Sequence, residues 1–148
     1  MARKTGTPLE FTPYEGLGPV RFGMTRAQVK TALGAPDEVE EDDIMEQIRE
    51  KRGPIEYFYD WNKKRLNQLT IRMPAAVMLK GKSLFEDAAA LSFAESVDST
   101  GKEGGGYRNF PKLGMLMGGF GRKRIPEGKL IMLYDESMKQ EMANMTEV

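Results

Sequence analysis

The chain has 148 residues, 22 basic and 22 acidic side chains, no formal net charge, and neither cysteine nor histidine. That length suits one domain able to bury a working core, and balanced charge gives no electrostatic case for general nucleic-acid binding. The two missing residue types exclude disulfides, thiolate and imidazole metal sites, cysteine nucleophiles and the Ser-His-Asp triad.

Hydrophobic residues at 40% and charged residues at 30% describe a globular rather than a disordered chain. Carboxylate-only catalysis and Mg²⁺ or Ca²⁺ binding survive the exclusions, so the balance moves from enzyme toward binding protein, with no cofactor. No apolar run approaches the roughly 20 residues of a membrane span. The start, Met1 to Pro8, is basic without an apolar stretch, so the expected location is the cytoplasm.

Leu9, Phe11 and Tyr14 read as an edge strand or a tail against the core, and Gly18 to Gly23 as a short strand with Val20 and Phe22 on one face. Thr25 and Gln28 form a capping box. Met24 packs on Val29 as a staple, Val29 and Leu33 share a face, Gly34 takes a left-handed position and Pro36 stops the chain. The prediction is a helix over 25–33. Asp37 to Glu46 carries seven carboxylates and no basic residue, with Ile44, Met45 and Ile48 suggesting a short helical end. Residues 55–60 and 66–73 read as a β-hairpin. The apolar parity slips between Leu66 and Leu69, which implies a bulge or a later strand start.

Past Pro74, Val77 to Lys80 is a short strand. Ser83 and Glu86 make a second capping box, predicting a helix over about 84–95 along Leu84, Ala88, Leu91 and Glu95. Asp98 to Gly106 is a Gly-rich surface loop. Leu113 to Met117 is a strand, Gly121 to Gly128 a basic loop, and Lys129 to Tyr134 a buried strand by its nearly continuous apolar character. The tail from Asp135 is polar and weakly helical.

Residues 18–73 and 77–135 share one order: a short strand, a capped helix, then a pair of strands. The expected architecture is therefore α+β, a single domain with an antiparallel sheet, helices packed on one face, and a possible tandem β-α-β-β repeat. The open face of such a sheet is suited to holding another protein.

The segment Gly18-Pro19-Val20-Arg21-Phe22-Gly23-Met24-Thr25, followed by Val29, Leu33-Gly34 and Pro36, resembles the "GMT…V…LG.P" signature. That signature belongs to the outer-membrane assembly lipoprotein (BamE/SmpA) and beta-lactamase-inhibitor-protein-like superfold. The resemblance is specific over about 20 residues and topological beyond them. With no cysteine there is no lipobox and none of the tandem inhibitor's disulfides. The resemblance then implies a cytosolic bacterial protein of this shape, such as an immunity protein of a polymorphic toxin.

Candidate sites follow from composition. Asp37, Glu38, Glu40, Glu41, Asp42, Asp43 and Glu46 form either a solvated loop or an acidic face for a basic partner; the spacing and glycine of a calcium loop are absent. Tyr57 and Tyr59, with Phe58 and Trp61, alternate along a strand, so one face is core and the other offers aromatic anchors. Gly81-Lys82-Ser83 is a helix cap rather than a phosphate loop, because position 76 is Ala. Arg122-Lys123-Arg124, with Lys129, is a solvated turn or a phosphate contact. Asp60, Glu86 and Asp87 are the carboxylates an enzyme would use, and nothing orients them as a pair. The leading expectation is a stoichiometric immunity or inhibitor protein for a basic-faced toxin or enzyme. The alternatives are a non-inhibitory assembly module and a small-ligand or nucleic-acid binder.

Overall fold

The computed structural model describes residues 8–73, 75–85, 89–120, 128–144 and 146. It is an α+β fold, and sheet predominates. Strand β1 (Pro8–Thr12) turns back into β2 (Gly16–Leu17), and β2 into β3 (Val20–Arg21). Gly16 is required there: a Cβ would sit 2.0 Å from the Val20 carbonyl oxygen. Helix α1 (Arg26–Leu33) follows, and its cap is the one the sequence predicts. The Thr25 hydroxyl accepts from the Gln28 N–H at 3.2 Å, and the Gln28 side chain accepts from the Thr25 N–H at 2.9 Å. Gly34 closes the helix with its N–H on the Lys30 carbonyl at 2.7 Å. Its φ of 94° is positive, but ψ of −177° places it outside the left-handed helical region predicted for it.

Four antiparallel strands come next: β4 (Glu38–Asp42), β5 (Gln47–Arg52), β6 (Ile55–Asp60) and β7 (Leu66–Arg72). The β6–β7 hairpin is as predicted. Its register shifts opposite Phe58 and Tyr59, which lets both Leu66 and Leu69 point inward despite their odd spacing. Strand β8 (Ala76–Leu79) runs parallel to β1, so β1 lies inside a five-stranded sheet of order β3-β2-β1-β8-β9 rather than at an edge.

The second predicted helix starts later than its apparent cap. Lys80 and Gly81, at φ 49° and 81°, turn the chain so that β9 (Lys82–Ser83) pairs back on β8. This is the pattern of a two-residue hairpin. Ser83 is thereby part of a ladder, Glu86 lies outside the described residues, and α2 (Ala90–Val97) carries no side-chain cap. The expected Gly-rich loop contains β10 (Lys102–Gly104). After β11 (Tyr107–Phe110), β12 (Met115–Gly118) and β13 (Leu130–Tyr134), a 3₁₀ turn (Glu136–Met138) leads to α3 (Lys139–Asn144).

The larger sheet has eight strands in the order β10-β11-β12-β13-β7-β6-β5-β4. It consists of two four-stranded meanders, each preceded in the chain by a short helix. They join at a β13–β7 seam where Ile131 faces Ile71 and Leu133 faces Leu69. One core cluster contains residues of this sheet, of the small sheet, and Val29, Ala90 and Ala94 of the helices. On the opposite face a second cluster, Leu116, Tyr134 and Met142, lies under α3. The outward side chains of β7, Gln68 and Thr70, are buried as well, at 8% and 3% exposure, whereas the edge strand β4 is largely exposed.

Candidate functional site

The acidic segment is an edge hairpin, not a loop with a helical end. Asp42 explains why. Its Oδ1 accepts from the N–H groups of Ile44 and Met45, both at 3.0 Å, and Glu46 takes φ 52° to return the chain. Ile48 then enters the core, fully buried, while Ile44 and Met45 stand 88% and 71% exposed at the tip.

Strand pairing answers the like-charge repulsion that the sequence implies. Glu38 lies opposite Lys51 and Glu40 opposite Arg49, each ion pair at 3.6 Å. Arg49 continues to Glu56 at 2.8 Å, and Glu56 bonds Arg72, so alternating charges run across the open face. Glu41 points the other way, to Arg26 at 3.3 Å. Asp37 accepts from the Gly53 N–H at 2.7 Å. Asp43 and Glu46 are the two carboxylates of the run with neither an ion pair nor a side-chain hydrogen bond among the described residues, and they flank the apolar tip.

The aromatic candidates divide by strand parity. Ile55, Tyr57 and Tyr59 point inward, and the two tyrosines are only 4% and 1% exposed, so neither offers a surface to a partner. Phe58 is the outward ring, half-buried. Trp61 is also half-buried, with the Lys64 ammonium 4.5 Å from its ring centre.

Sequence reasoning missed a buried charged network behind the hairpin. Glu50 accepts from Arg26 Nε at 2.8 Å, from the Tyr59 hydroxyl at 2.8 Å and from Arg52 at 3.1 Å. Arg52 Nε donates to the Gly34 carbonyl at 3.0 Å, its guanidinium lies 5.1 Å from the Tyr57 ring centre, and its Nη2 is buried without a partner. Burial raises the Glu50 carboxyl, but the bonds from Arg26 and Tyr59 and the charge of Arg52 outweigh it and hold it below the ordinary range. Burial, then the hydrogen bond to Glu50, pushes the Tyr59 hydroxyl well above its usual value. Glu50 and Arg52 share parity with Ile48. That is the signal in the sequence, though strand charges ordinarily read as outward.

A groove of about 250 Å³ opens at the same end of the sheet, between the β4–β5 tip, the β6–β7 turn and the 3₁₀ turn with α3. Among the described residues no three carboxylates are grouped to hold a metal ion, and no helix is long and apolar enough to cross a membrane. Gly81-Lys82-Ser83 belongs to a hairpin and not to a phosphate loop. Arg122, Lys123 and Arg124 lie outside the described residues, as do Glu86 and Asp87; Lys129 rests 5.1 Å from the Phe120 ring centre. Compared with known proteins, the chain matches no family model, no curated protein and no solved structure.

Proposed function

We propose that this chain is a stoichiometric protein-binding module, an immunity or inhibitor protein acting in the cytoplasm on a basic-faced toxin or enzyme, and not itself an enzyme. The observation that carries the reading is the tip of the β4–β5 hairpin. Two large aliphatic side chains stand in solvent on a turn pinned by Asp42, between two carboxylates that no cation of the described chain neutralises. An exposed aliphatic pair does nothing for folding, and a rigid mount lowers the entropy lost when a partner closes over it. Asp43 and Glu46 add steering toward a basic rim.

Two further observations support this reading. The signature around Gly18 to Pro36 resembles a fold used for inhibition, and the two meanders, each preceded by a short helix, fit a tandem of helix-and-sheet units.

A tagged pull-down from native extract, at low and moderate salt, tests the proposal. One stoichiometric partner is expected, retained less well in salt and lost when Ile44 and Met45 are both changed to Ser. Capture of no partner at either salt overturns it. A partner retained equally by the double variant removes the hairpin from the interface.

A further inference from the structure

We infer that the free edge of β4 receives one extended strand of the partner, with aliphatic side chains toward α1 and basic side chains on the opposite face; this rests on the binding reading above and names the element that the partner brings. Strand β4 ends the eight-stranded sheet, so alternate N–H and C=O groups along Glu38–Asp42 meet no strand on their outer side among the described residues. Such an edge is a template for one more strand.

Val39 is the independent sign that the edge is unfinished. It shares the parity of Glu41, which reaches Arg26 of α1, and it lies opposite the buried Glu50. This is the side on which β5 is covered, yet Val39 is 48% exposed. A groove of about 360 Å³ lies there, lined by Arg26, Ala27, Lys30, Pro36, Val39 and Glu50. Ala27, Pro36 and Val39 give it apolar walls. Arg26 and Glu50 are bonded to each other at 2.8 Å, and Lys30 adds a positive charge that repels a basic side chain. Neighbouring strands lie about 4.8 Å apart, with side chains of matching parity in contact. An aliphatic side chain on an added strand therefore fills this groove and covers Val39.

The opposite face sets the charge of the occupant. Arg72 of β7 bonds Glu56 of β6, Glu56 bonds Arg49 of β5, and Arg49 pairs with Glu40 of β4. Lys51 of β5 pairs with Glu38 of β4 in the same sense. Charge alternates strand by strand and stops at an acidic one, so the next strand in that order is basic. A second copy of β4 does not fit, because two acidic edges would lie side by side. Basic and aliphatic residues in alternation are what one strand presents to two unlike faces.

The test needs no native partner. An acetylated, amidated peptide alternating arginine and valine over about seven residues, an ordinary strand length, is titrated into the full chain. The β4 amides and the Val39 methyls are followed by NMR. Three peptides serve as comparisons: glutamate in place of arginine, the same residues in two blocks, and the alternating peptide N-methylated throughout so that it cannot pair. The expected result is saturable shifts at β4 and the groove with the alternating peptide and no saturation with the other three. Val39→Ser and Ala27→Lys, both at exposed positions, should each weaken binding about tenfold, the size of one lost aliphatic contact, with an unchanged unfolding midpoint. Absence of saturation with the alternating peptide overturns the inference, as do equal shifts with the block or N-methylated peptide. A partner captured from extract alongside a flat titration keeps the binding reading and removes the β4 edge from it. A saturable titration with no partner captured keeps the edge as a strand receptor and removes the inhibitor reading.

Discussion

At the scale of single residues, the sharpest contrast is between Thr25 and Glu50. The Thr25–Gln28 box is legible in the sequence because both partners lie within one turn. Glu50 is not legible, because its partners Arg26 and Tyr59 are distant in sequence and only the fold brings them near. Its protonation has a consequence for stability. A carboxyl whose folded value is depressed stabilises the protein fully above its unfolded value, about 4.3 for Glu, and that contribution fades as pH falls through the folded value. Asp98 acts in the same direction: burial raises it, but its bonds from Thr100 and the Lys112 N–H bring it below the ordinary range. Denaturant titrations should therefore show stability falling from about pH 4 downward, and Glu50→Gln should flatten part of that acid limb. At neutral pH the same change leaves Arg52 buried without its counter-charge, at an expected cost of about 3 kcal/mol. An unchanged acid limb would show that Glu50 does not carry this dependence.

At the scale of elements, the acidic hairpin shows what local reading can and cannot reach. The run of carboxylates is visible in the sequence, but the cations that match it lie in the next strand and in α1, and which carboxylates remain unmatched depends on register. Among the described residues, Asp43 and Glu46 are the two of the seven with neither a cation nor a hydrogen-bond donor on the side chain. Charge reversal of these two, Asp43→Lys/Glu46→Lys, should slow association about tenfold at low ionic strength and progressively less as salt is added. The thermal midpoint should barely move, since both residues are exposed. An association rate insensitive to the reversal assigns them to solvent. The β8–β9 turn is the converse case. Ser83 and Glu86 satisfy the local rule for a helix start, yet Lys80-Gly81 satisfies the rule for a hairpin, and pairing with β8 decides between them. Gly81→Ala should cost about 1 kcal/mol in equilibrium unfolding, because φ is 81° there and no atom lies within 4 Å to add a clash.

At the scale of the whole molecule, the decisive feature is the seam between β7 and β13. Each half of the chain contributes one meander, and a meander left alone would expose the apolar strand at its end. Leu69 and Leu133 are fully buried opposite each other, as are Ile71 and Ile131, so each half completes the core of the other. The sequence reads each half as a short strand, a capped helix and a pair of strands, whereas α1 and α2 are each followed by a meander of four strands, and α2 carries no side-chain cap. The seam is not legible in the sequence, because β7 and β13 are more than fifty residues apart and nothing local pairs them. Two structures sharing one core should unfold together. Trp61 lies in the first half and reports on it by fluorescence, while far-ultraviolet circular dichroism reports on both sheets. The two signals should trace one transition in denaturant. Leu69→Ala and Leu133→Ala should each lower stability by about 3 kcal/mol. The pair should combine non-additively, because the two buried residues are direct cross-strand partners. Separate transitions by the two probes, or strict additivity of the pair, would mean that the halves hold their folds independently and that the seam joins two finished sheets.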